Sequence, residues 1–332
     1  MQAHLIALDW GTTSLRAYKL GRSGQVLDQR ALASGIMQLP TTPRTIAGQH
    51  CDNGFELAFD DACGDWLAAE PHLPVIACGM VGSAQGWREA AYCPTPARVA
   101  DLGASLQTVE TLRGTVLHIV PGVVQHSRLP NVMRGEETQV LGLLCDLPAD
   151  TRQDSLLIGL PGSHSKWVSL EEGCIQQFDT FMTGEVYAAL CAHTILGRTQ
   201  QPTGSFDDAA FTRGVQVALS PDATLGLLSN LFSARTLGLT GQLSGAEQPD
   251  YLSGLMIGHE LRALAQACRE RCGEAGLPQV VLIGSVALCQ RYQIALRLCG
   301  FAQVGLAEQA TERGLWSLAV AAGLLAPLPE EV

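Results

Sequence analysis

The chain has 332 residues, a length that suits about two domains at roughly 150 residues each. Apolar residues make up 47%, which is well above the disordered range and is enough for two buried cores. The formal net charge of −11 argues against a nucleic-acid partner, because proteins that bind nucleic acids present basic faces. An anionic substrate would therefore have to be held by locally placed cations.

The eleven cysteines are scattered, with no CxxC pair and no Cys/His cluster at zinc spacing. We interpret them as small core residues of a protein in a reducing cytosol. The N-terminus has no basic region followed by a cleavage signal, and no stretch reaches about 18 apolar residues without a charge. The sequence therefore predicts a cytoplasmic protein that has no membrane partner.

The first half of the chain predicts strands followed by alternating helices and strands. Runs at 4–9, 15–20 and 25–33 predict three strands, and a glycine-containing turn at 21–24 joins the last two as a hairpin. The later elements are predicted helices at 55–70, 102–112 and 136–145 and predicted strands at 75–78 and 116–120.

The pattern restarts near residue 155. The predicted strands of this half are 155–160, 166–170, 174–181, 279–283 and 301–306, and the predicted helices are 185–196, 287–298 and 314–325. Alternation of this kind predicts α/β sheets with helices packed on their faces. Two similar halves predict two domains, 1–150 and 151–332, with a central cleft and a boundary at 146–154.

The first chemical motif follows the first strand. That strand ends in Asp9, and the turn after it presents Gly11, Thr12 and Thr13. Backbone N–H groups and hydroxyls in such a turn can cradle phosphate oxygens. Asp9 suits Mg²⁺, which takes few protein ligands and keeps several of its waters. The alternative is an ordinary hairpin with an Asx turn.

A second motif lies at the equivalent point of the second half. Its residues are Gly162, Ser163, His164, Ser165 and Lys166. The glycine and hydroxyl content again suits phosphate, and His164 could donate a hydrogen bond to it. Lys166 is one of only two lysines; it either contacts a phosphate or points outward from a strand. Two such loops are what a nucleotide clamped between two domains needs.

The order of these paired loops resembles the actin/hexokinase/chaperone-ATPase superfamily. Its two phosphate motifs match 9–13 and 159–165, and its adenosine motif resembles 280–285, where Gly284 and Ser285 follow a buried strand. Glycine there would let the backbone approach the adenine or ribose, although a plain strand–helix turn is the alternative. The resemblance implies two ribonuclease-H-like domains, ATP and Mg²⁺ as cofactors, and hinge helices at 135–144 and 310–323.

Four longer strings carry a closer resemblance. The strings at 79–89, 133–139, 160–167 and 182–185 are similar to the 2-dehydro-3-deoxygalactonokinase family, and the resemblance spans nearly the whole chain. That family phosphorylates the 6-hydroxyl of 2-dehydro-3-deoxy-D-galactonate with ATP in galactonate breakdown. The resemblance places the sugar-acid site and first phosphate loop in the N-terminal domain, and the second loop and adenosine site in the C-terminal domain. It leaves a homodimer open.

A general base should accept the proton of the attacking hydroxyl, and a carboxylate suits that role. The candidates are Glu136 and Glu137 at the start of a predicted helix, and we favour Glu136. Sugar kinases of the superfamily usually carry Asp in a comparable Gly-Asp element, whereas this chain has Glu. The alternative is that both glutamates simply stabilise the positive helix N-terminus.

A substrate carboxylate needs a bidentate arginine or a set of N–H donors. Arg134, beside the candidate base, is the first choice, followed by Arg88 and the Gly82–Ser83 turn. The other candidate sugar contacts are Trp87 as an apolar wall, Ser34 and Gly35 at the end of the third strand, and Glu185. Alternatively, the 34–35 pair is only a turn and Glu185 only begins a helix.

Two other functions compete with the kinase. A polyphosphate or guanosine-polyphosphate phosphatase on the same fold is compatible with the Gly-Glu-Glu string at 135–137, because such enzymes use Glu to activate water. A nucleotide-switch protein would need extra interaction segments, for which 332 residues leave little room. The kinase and the phosphatase differ in whether phosphate passes to a sugar acid or to water.

Overall fold

The computed structural model describes residues 2–144, 155–272 and 276–325. The chain groups into two compact units. The first takes its described residues from Met1–Asp154, Leu170–Phe178 and Glu308–Val332, and the second from Ser155–Ser169 and Asp179–Ala307. The domain boundary predicted at 146–154 lies outside the described residues, so the division into 1–150 and 151–332 stays a prediction.

The elements alternate between strands and helices along the chain. The strands are β1 (Leu5–Trp10), β2 (Leu15–Leu20), β3 (Val26–Leu32), β4 (Arg44–Ile46), β5 (Gln49–Cys51), β6 (Val75–Gly79), β7 (Cys93–Pro94), β8 (Gln107–Glu110), β9 (Val116–Ile119), β10 (Val123–Gln125), β11 (Asn131–Met133), β12 (Leu156–Leu160), β13 (Ser165–Glu171), β14 (Cys174–Phe181), β15 (Gln279–Ile283) and β16 (Val304–Ala307). The helices are α1 (Gly54–Ala69), α2 (Val99–Gly103), α3 (Glu136–Leu143), α4 (Thr183–His193), α5 (Asp208–Leu219), α6 (Leu227–Leu231), α7 (Ser233–Leu239), α8 (Gln248–Cys272), α9 (Val286–Leu298) and α10 (Ala310–Ala321).

The first unit is built on a six-stranded mixed sheet in the order β3-β2-β1-β6-β9-β8. β1 runs antiparallel to β2 and parallel to β6, so the carboxyl ends of β1 and β6 meet, with Asp9 opposite Cys78 and Trp10 opposite Gly79. The alternating side chains of β1 and the inner face of α1 form the core of this unit, in which Phe59 is fully buried. The sheet therefore gathers the ends of two parallel strands at one edge.

A five-stranded mixed sheet has the order β14-β13-β12-β15-β16, and its strands β12, β15 and β16 belong to the second unit. β12, β15 and β16 are parallel neighbours. A core of apolar side chains from β12, β15, α5, α8 and α9 packs against this sheet. With the edge strand β8 set aside, the order of its strands along the chain is the same as that of β3-β2-β1-β6-β9 in the first unit.

The predicted helix at 102–112 is wrong. Helix α2 ends at Gly103, and β8 then pairs antiparallel with β9, with Thr108 opposite His118. A turn closed by the hydrogen bond from the Gly114 N–H to the Thr111 carbonyl joins the two strands. The β-branched residues of this segment fit a strand, and the ladder to β9 outweighs the helix-like spacing of its leucines.

Two other regions differ from the sequence-based expectation. The final helix, predicted at 314–325, begins four residues earlier at Ala310 and ends at Ala321. The segment 197–278, for which no element is predicted from the sequence, contains helices α5 to α8. Most of the other predicted elements agree with the structure to within two residues at the ends that are described.

The nine cysteines whose side chains the structure describes form no disulfide, and all but Cys191 are buried. This agrees with their interpretation as small core residues. In the described ranges, every helix is too short or too polar to cross a bilayer.

Candidate active site

The first phosphate loop of the sequence analysis lies at the carboxyl end of β1. Two of its carbonyls accept backbone hydrogen bonds from the segment that follows β3, from Ile36 to Gly11 and from Met37 to Thr12. A Cβ at Gly35 would lie 2.4 Å from the Thr12 carbonyl, so only glycine allows this approach. Thr12 and Thr13 remain exposed. The structure thus joins the predicted loop at 11–13 to the predicted pair Ser34 and Gly35.

Asp9 precedes this loop and is largely enclosed, with a side chain that is 19% exposed. Burial raises its pKa, and the Arg16 guanidinium, whose Nη1 is 3.3 Å from Oδ2, acts in the opposite direction. Glu312 of α10 belongs to the same neighbourhood: burial, and to a lesser degree the charge on Asp9, raise its pKa. Oxygen donors with a surplus of negative charge are the ligands that Mg²⁺ prefers, so Asp9 fits a magnesium ligand.

Two glycines allow the start of α3 to lie close to the paired carboxyl ends of β1 and β6. Gly79 has φ +90°, and a Cβ there would lie 2.8 Å from the Trp10 carbonyl oxygen. Gly135, the residue before α3, has φ +107° and would place a Cβ 3.3 Å from the Gly79 Cα. Both positions lie in the left-handed region that favours glycine. The start of α3 is therefore packed directly against the end of β6, which pairs with the end of β1 that carries Asp9.

The two candidate bases at this helix start have different surroundings. Glu137 is fully buried; both of its oxygens accept the Gly135 N–H, at 2.9 and 2.7 Å, and Oε1 accepts the Thr138 hydroxyl at 3.1 Å. Burial, followed by the charge of Glu136, raises the pKa of Glu137 to about 8. Glu136 is partly exposed, and its Oε2 accepts the Arg134 N–H at 3.0 Å. Only Glu136 is open to a substrate hydroxyl.

Arg134 carries hydrogen-bonding capacity that the protein does not satisfy. Its Nη2 donates to the Ala90 carbonyl at 2.7 Å, and its guanidinium carbon lies 4.3 Å from the centre of the Tyr92 ring. Its Nε and Nη1, and the Oγ of Ser83, are buried and have no hydrogen-bond partner among the described residues. A Cβ at Gly82 would lie 3.0 Å from Nη1, which places the Gly82–Ser83 turn against the guanidinium.

Trp87 and Arg88 lie in the same segment but face different surroundings. The Trp87 ring packs with Trp10 at 6.0 Å and with Phe55 and Phe59 at 5.9 Å between ring centres. It is partly buried and extends an aromatic cluster that begins beside Asp9. Arg88 is exposed.

In the second unit, the predicted phosphate loop is flanked by two glycines. A Cβ at Gly184 would lie 2.4 Å from the Gly162 carbonyl, and a Cβ at Gly284 3.6 Å from the Pro161 carbonyl. The Glu185 N–H donates to the Ser163 carbonyl at 3.0 Å. The side chain of Glu185 also pairs with the His164 ring, and both of these side chains are about half exposed.

Ser165 and Lys166 point into the unit. Ser165 is fully buried and its Oγ lies 3.0 Å from the Tyr292 hydroxyl. Lys166 is 7% exposed and donates to the Thr180 hydroxyl at 2.8 Å. The loop therefore presents Gly162, Ser163 and His164 outward, while the two following side chains attach it to the interior.

A cavity of about 250 Å³ opens beside this loop. Besides the loop and the first turn of α4, its lining includes Met256, Leu288 and Arg291, which sequence reasoning missed. Arg291 pairs with Asp250 at 3.1 Å and stacks on Phe206. Leu288 and Arg291 lie in α9, the helix that begins just after Gly284 and Ser285. The glycine-serine string could have indicated this helix, but the contribution of α8 has no local sequence signal.

Comparison with known proteins gives a consistent result. The profile of the 2-keto-3-deoxy-galactonokinase family matches residues 9–318. A protein of Rhizobium meliloti (strain 1021) described as a probable 2-dehydro-3-deoxygalactonokinase is 36% identical over 315 residues, which cover 93% of this chain and 94% of that protein. The 2-dehydro-3-deoxygalactonokinase of Escherichia coli (strain K12) is 33% identical over 322 residues, or 96% of this chain and 98% of that protein.

The similarity extends to three dimensions. The crystal structure of a protein from Sinorhizobium meliloti, provisionally named 2-dehydro-3-deoxygalactonokinase, superimposes with a TM-score of 0.79 at 34% identity, covering 98% of this chain and all of that one. The names 2-keto and 2-dehydro denote the same ketone group. The phosphatase alternative finds no support in these relatives. The chain belongs to the 2-keto-3-deoxy-galactonokinase family.

Proposed function

We propose that this kinase transfers the γ-phosphoryl group of ATP to the 6-hydroxyl of 2-dehydro-3-deoxy-D-galactonate, in the breakdown of galactonate. The names of the relatives support this reaction. The observation that supports an acidic substrate is that two buried nitrogens of Arg134 have no hydrogen-bond partner among the described residues. The buried hydroxyl of Ser83 also has none.

A buried donor without a partner costs about 1–3 kcal/mol, so such a group is expected to meet a ligand. Nε and Nη1 point to different sides of the guanidinium, so each can donate one charge-assisted hydrogen bond to a substrate oxygen, and the Ser83 hydroxyl adds a third donor. The stacking of Arg134 on Tyr92 and its bond to Ala90 fix the guanidinium before the substrate arrives. The sugar acid would then lie beside Trp87, with Ser34, Gly35, Arg88 and Glu185 as further proposed contacts.

For the nucleotide, we propose that Gly11, Thr12 and Thr13 in the first unit and Gly162, Ser163 and His164 in the second bind phosphate oxygens. Ser165 and Lys166 would support the second loop from within, because their polar atoms already contact Tyr292 and Thr180. The cavity beside Gly162, with Gly284 and Ser285 at the neighbouring helix start, would take the adenosine. Asp9 would hold Mg²⁺, which when bound neutralises phosphate charge.

We assign the general base to Glu136 and a supporting role to Glu137. Glu136 is partly exposed, and its bond to the Arg134 backbone N–H orients it beside the residue proposed to bind the substrate carboxylate. Glu137 is fully enclosed and holds the turn at Gly135 through both oxygens. Proton transfer needs a group within hydrogen-bond reach of the substrate, which favours the exposed glutamate.

The fold proposed for this reaction is that of two ribonuclease-H-like domains of the actin/hexokinase type, with the cleft predicted from the sequence. The strand order that β3-β2-β1-β6-β9 shares with β14-β13-β12-β15-β16 supports this assignment. The cytoplasmic location remains a prediction from the sequence.

A coupled assay of ADP release tests the reaction. The protein is given Mg·ATP with 2-dehydro-3-deoxygalactonate, its gluconate epimer, plain aldonates, hexoses or glycerol. We expect strong turnover with the first acceptor. Phosphate release from polyphosphate or guanosine polyphosphates, without transfer to any acceptor, would contradict the proposal in favour of the phosphatase.

The role of Arg134 can be tested in the same assay. Arg134→Met keeps much of the side-chain volume but removes the donors, and we expect KM for the sugar acid to rise by roughly 10- to 100-fold with little change in KM for ATP. The control is Arg128→Met, which alters an exposed arginine of the same unit. Equal KM values in the two variants would rule out Arg134 as the carboxylate ligand.

A further inference from the structure

Glu260 is a buried carboxylate at the centre of a hydrogen-bond network in the second unit. It lies in the middle of α8 and is only 4% exposed. Its Oε1 accepts the Trp167 indole N–H at 2.7 Å. Its Oε2 accepts the Tyr292 hydroxyl at 2.9 Å and also the Thr183 hydroxyl. One side chain thus joins β13, α4, α8 and α9.

Two of these bonds reach the second phosphate loop. The Tyr292 hydroxyl lies 3.0 Å from the Oγ of Ser165, the residue at which the loop enters β13. Thr183 is the first residue of α4, and its neighbour Gly184 packs against the Gly162 carbonyl. The carboxylate therefore acts on the loop from two directions, through the strand that leaves it and through the helix that covers it.

A purely structural role explains this network poorly. Burial raises the pKa of Glu260 even though three side chains donate to it, which means that ionising it costs free energy in this place. Met256 and Leu264 lie one turn before and after it on the same face of α8, and both are buried. An apolar residue would fill this position at a lower cost in folding free energy, because replacing a buried ionic group by an apolar one is often neutral or stabilising. What an apolar residue cannot supply is a fixed orientation for the Tyr292 and Thr183 hydroxyls.

We propose that Glu260 is a positioning residue that holds the second phosphate loop in its nucleotide-binding shape, through Tyr292 and Ser165 on one side and Thr183 on the other. This inference rests on the proposed nucleotide-binding role of that loop. As a positioning residue, Glu260 would act through its hydrogen-bond partners and not through direct contact with the nucleotide. It acts by fixing backbone N–H groups of the loop, whose spacing determines how well phosphate oxygens are bound.

The test compares Glu260→Gln and Tyr292→Phe with the wild type. Both variants keep the side-chain shape. Tyr292→Phe removes the hydroxyl that links Glu260 to Ser165, and Glu260→Gln replaces one acceptor oxygen by an NH2 group, which cannot accept the hydrogen bonds that the carboxylate accepts. We expect each to raise KM for ATP, and the Kd of a non-hydrolysable ATP analogue measured by calorimetry with Mg²⁺, by about tenfold, the effect of losing one hydrogen bond to a charged group. KM for the sugar acid should change less than about twofold. The double variant should weaken nucleotide binding little more than either single variant, because both substitutions act on the same chain of hydrogen bonds.

Two controls separate positioning from general stability. Glu270→Gln changes an exposed glutamate of the same helix, and Val215→Ala opens a gap in the core of the same unit. We expect the first to change nothing and the second to lower the unfolding temperature without changing the Kd of the nucleotide analogue. If Glu260→Gln does not fold, the inference is tested with Tyr292→Phe alone, since this variant removes only a single oxygen atom.

The possible results are distinct. An unchanged nucleotide Kd in folded Tyr292→Phe and Glu260→Gln proteins would overturn the inference, and so would equal losses in both KM values and kcat. A wild-type protein that binds the analogue but phosphorylates no sugar acid would contradict the proposed reaction alone, and the Kd comparison would still decide the role of Glu260. A wild-type protein that binds no nucleotide would overturn both.

Discussion

Asp9 and Glu137 are carboxylates that lie near the paired ends of β1 and β6, and they differ in what surrounds them. Asp9 has one cation at 3.3 Å and faces a loop with exposed hydroxyls. Glu137 has no exposure, and its hydrogen bonds come from the backbone N–H of Gly135 and the hydroxyl of Thr138. The first arrangement suits a group that exchanges partners during a reaction, and the second suits a group that fixes a turn.

Asp9→Asn should abolish most of the turnover while the protein stays folded. Asparagine keeps the shape but cannot hold a cation as a carboxylate does, so we expect kcat to fall by roughly 10²- to 10³-fold. Steady-state kinetics and circular dichroism measure the two properties. Asp65→Asn, which alters an exposed partner of Arg30, is the matched control. Near-normal activity in folded Asp9→Asn protein would remove Asp9 from the proposed site.

Glu137 should make the protein less stable as the pH rises. Because its pKa is raised from the ordinary 4.5 to about 8, the folded protein keeps a proton between these values that the unfolded chain has released. Stability contributed by the protonated form is therefore complete below about pH 4.5 and is lost as the pH approaches 8, with a slope of at most about 1.4 kcal/mol per pH unit.

Glu137→Gln should remove this contribution to the dependence of the free energy of unfolding on pH. Urea unfolding at several pH values between 5 and 8 measures it, and comparison with the wild type cancels the contributions of other buried carboxyls such as Glu56 and Glu260. Identical slopes in the two proteins would mean that Glu137 is ionised in the folded state throughout.

Residues in contiguous motifs were the ones that sequence reasoning could find. Asp9, Thr12 and Arg134 were identified because their neighbours in the chain form recognisable strings. Glu260, Glu312 and Arg291 were not, because each lies alone on a helix and acquires partners only through packing. An acidic residue on the apolar stripe of α8, four positions from Met256, is the one local signal that could have indicated Glu260.

At the scale of elements, α3 and α10 pack through glycines. A Cβ at Gly142 would lie 1.9 Å from the Ala310 carbonyl, and one at Gly314 would lie 1.9 Å from the Thr138 carbonyl. No side chain fits at either point, since real Cβ atoms do not approach so closely. This close approach holds the helix start that bears Glu136 against the helix that bears Glu312.

Gly314→Ala should therefore destabilise the first unit. We expect a loss of about 2 kcal/mol from overpacking, measured as a lower urea midpoint without a changed slope. Gly305→Ala is the control, because its new methyl would meet its nearest atoms at 3.9 Å, an ordinary contact distance. Equal midpoints for the two variants would contradict the glycine-dependent packing.

The elements themselves were predictable where periodicity and turn chemistry agreed. The hairpin of β2 and β3 and the strand–helix pair of β15 and α9 follow from apolar runs bounded by glycine. The helix predicted at 102–112 failed because β8 gains its hydrogen bonds from β9, a partner that local spacing does not reveal. Helices α5 to α8 were not predicted, although α5 and α8 carry apolar faces that pack against one another and against the core strands of the second unit.

At the scale of the whole molecule, the proposed reaction predicts closure on its substrates. A kinase must exclude water from the transferred phosphoryl group, and closure over both substrates achieves this. We expect the radius of gyration in solution scattering to fall when the sugar acid and a non-hydrolysable ATP analogue with Mg²⁺ are both present. The Arg134→Met protein at the same ligand concentrations is the control. An unchanged radius in the wild type would contradict closure.

The first unit is discontinuous, since α10 follows all of the second unit in the chain. At about 5–20 residues per second, a ribosome releases α10 on the order of ten to thirty seconds after α3. During that interval the glycine face of α3 has no partner helix, whereas most of the second unit has already been made. We therefore expect the second unit to complete its folding before the first, the reverse of the usual order in which the N-terminal part folds first during synthesis. A premature stop codon near residue 308 would leave the second unit nearly whole and would damage the site that begins at Asp9.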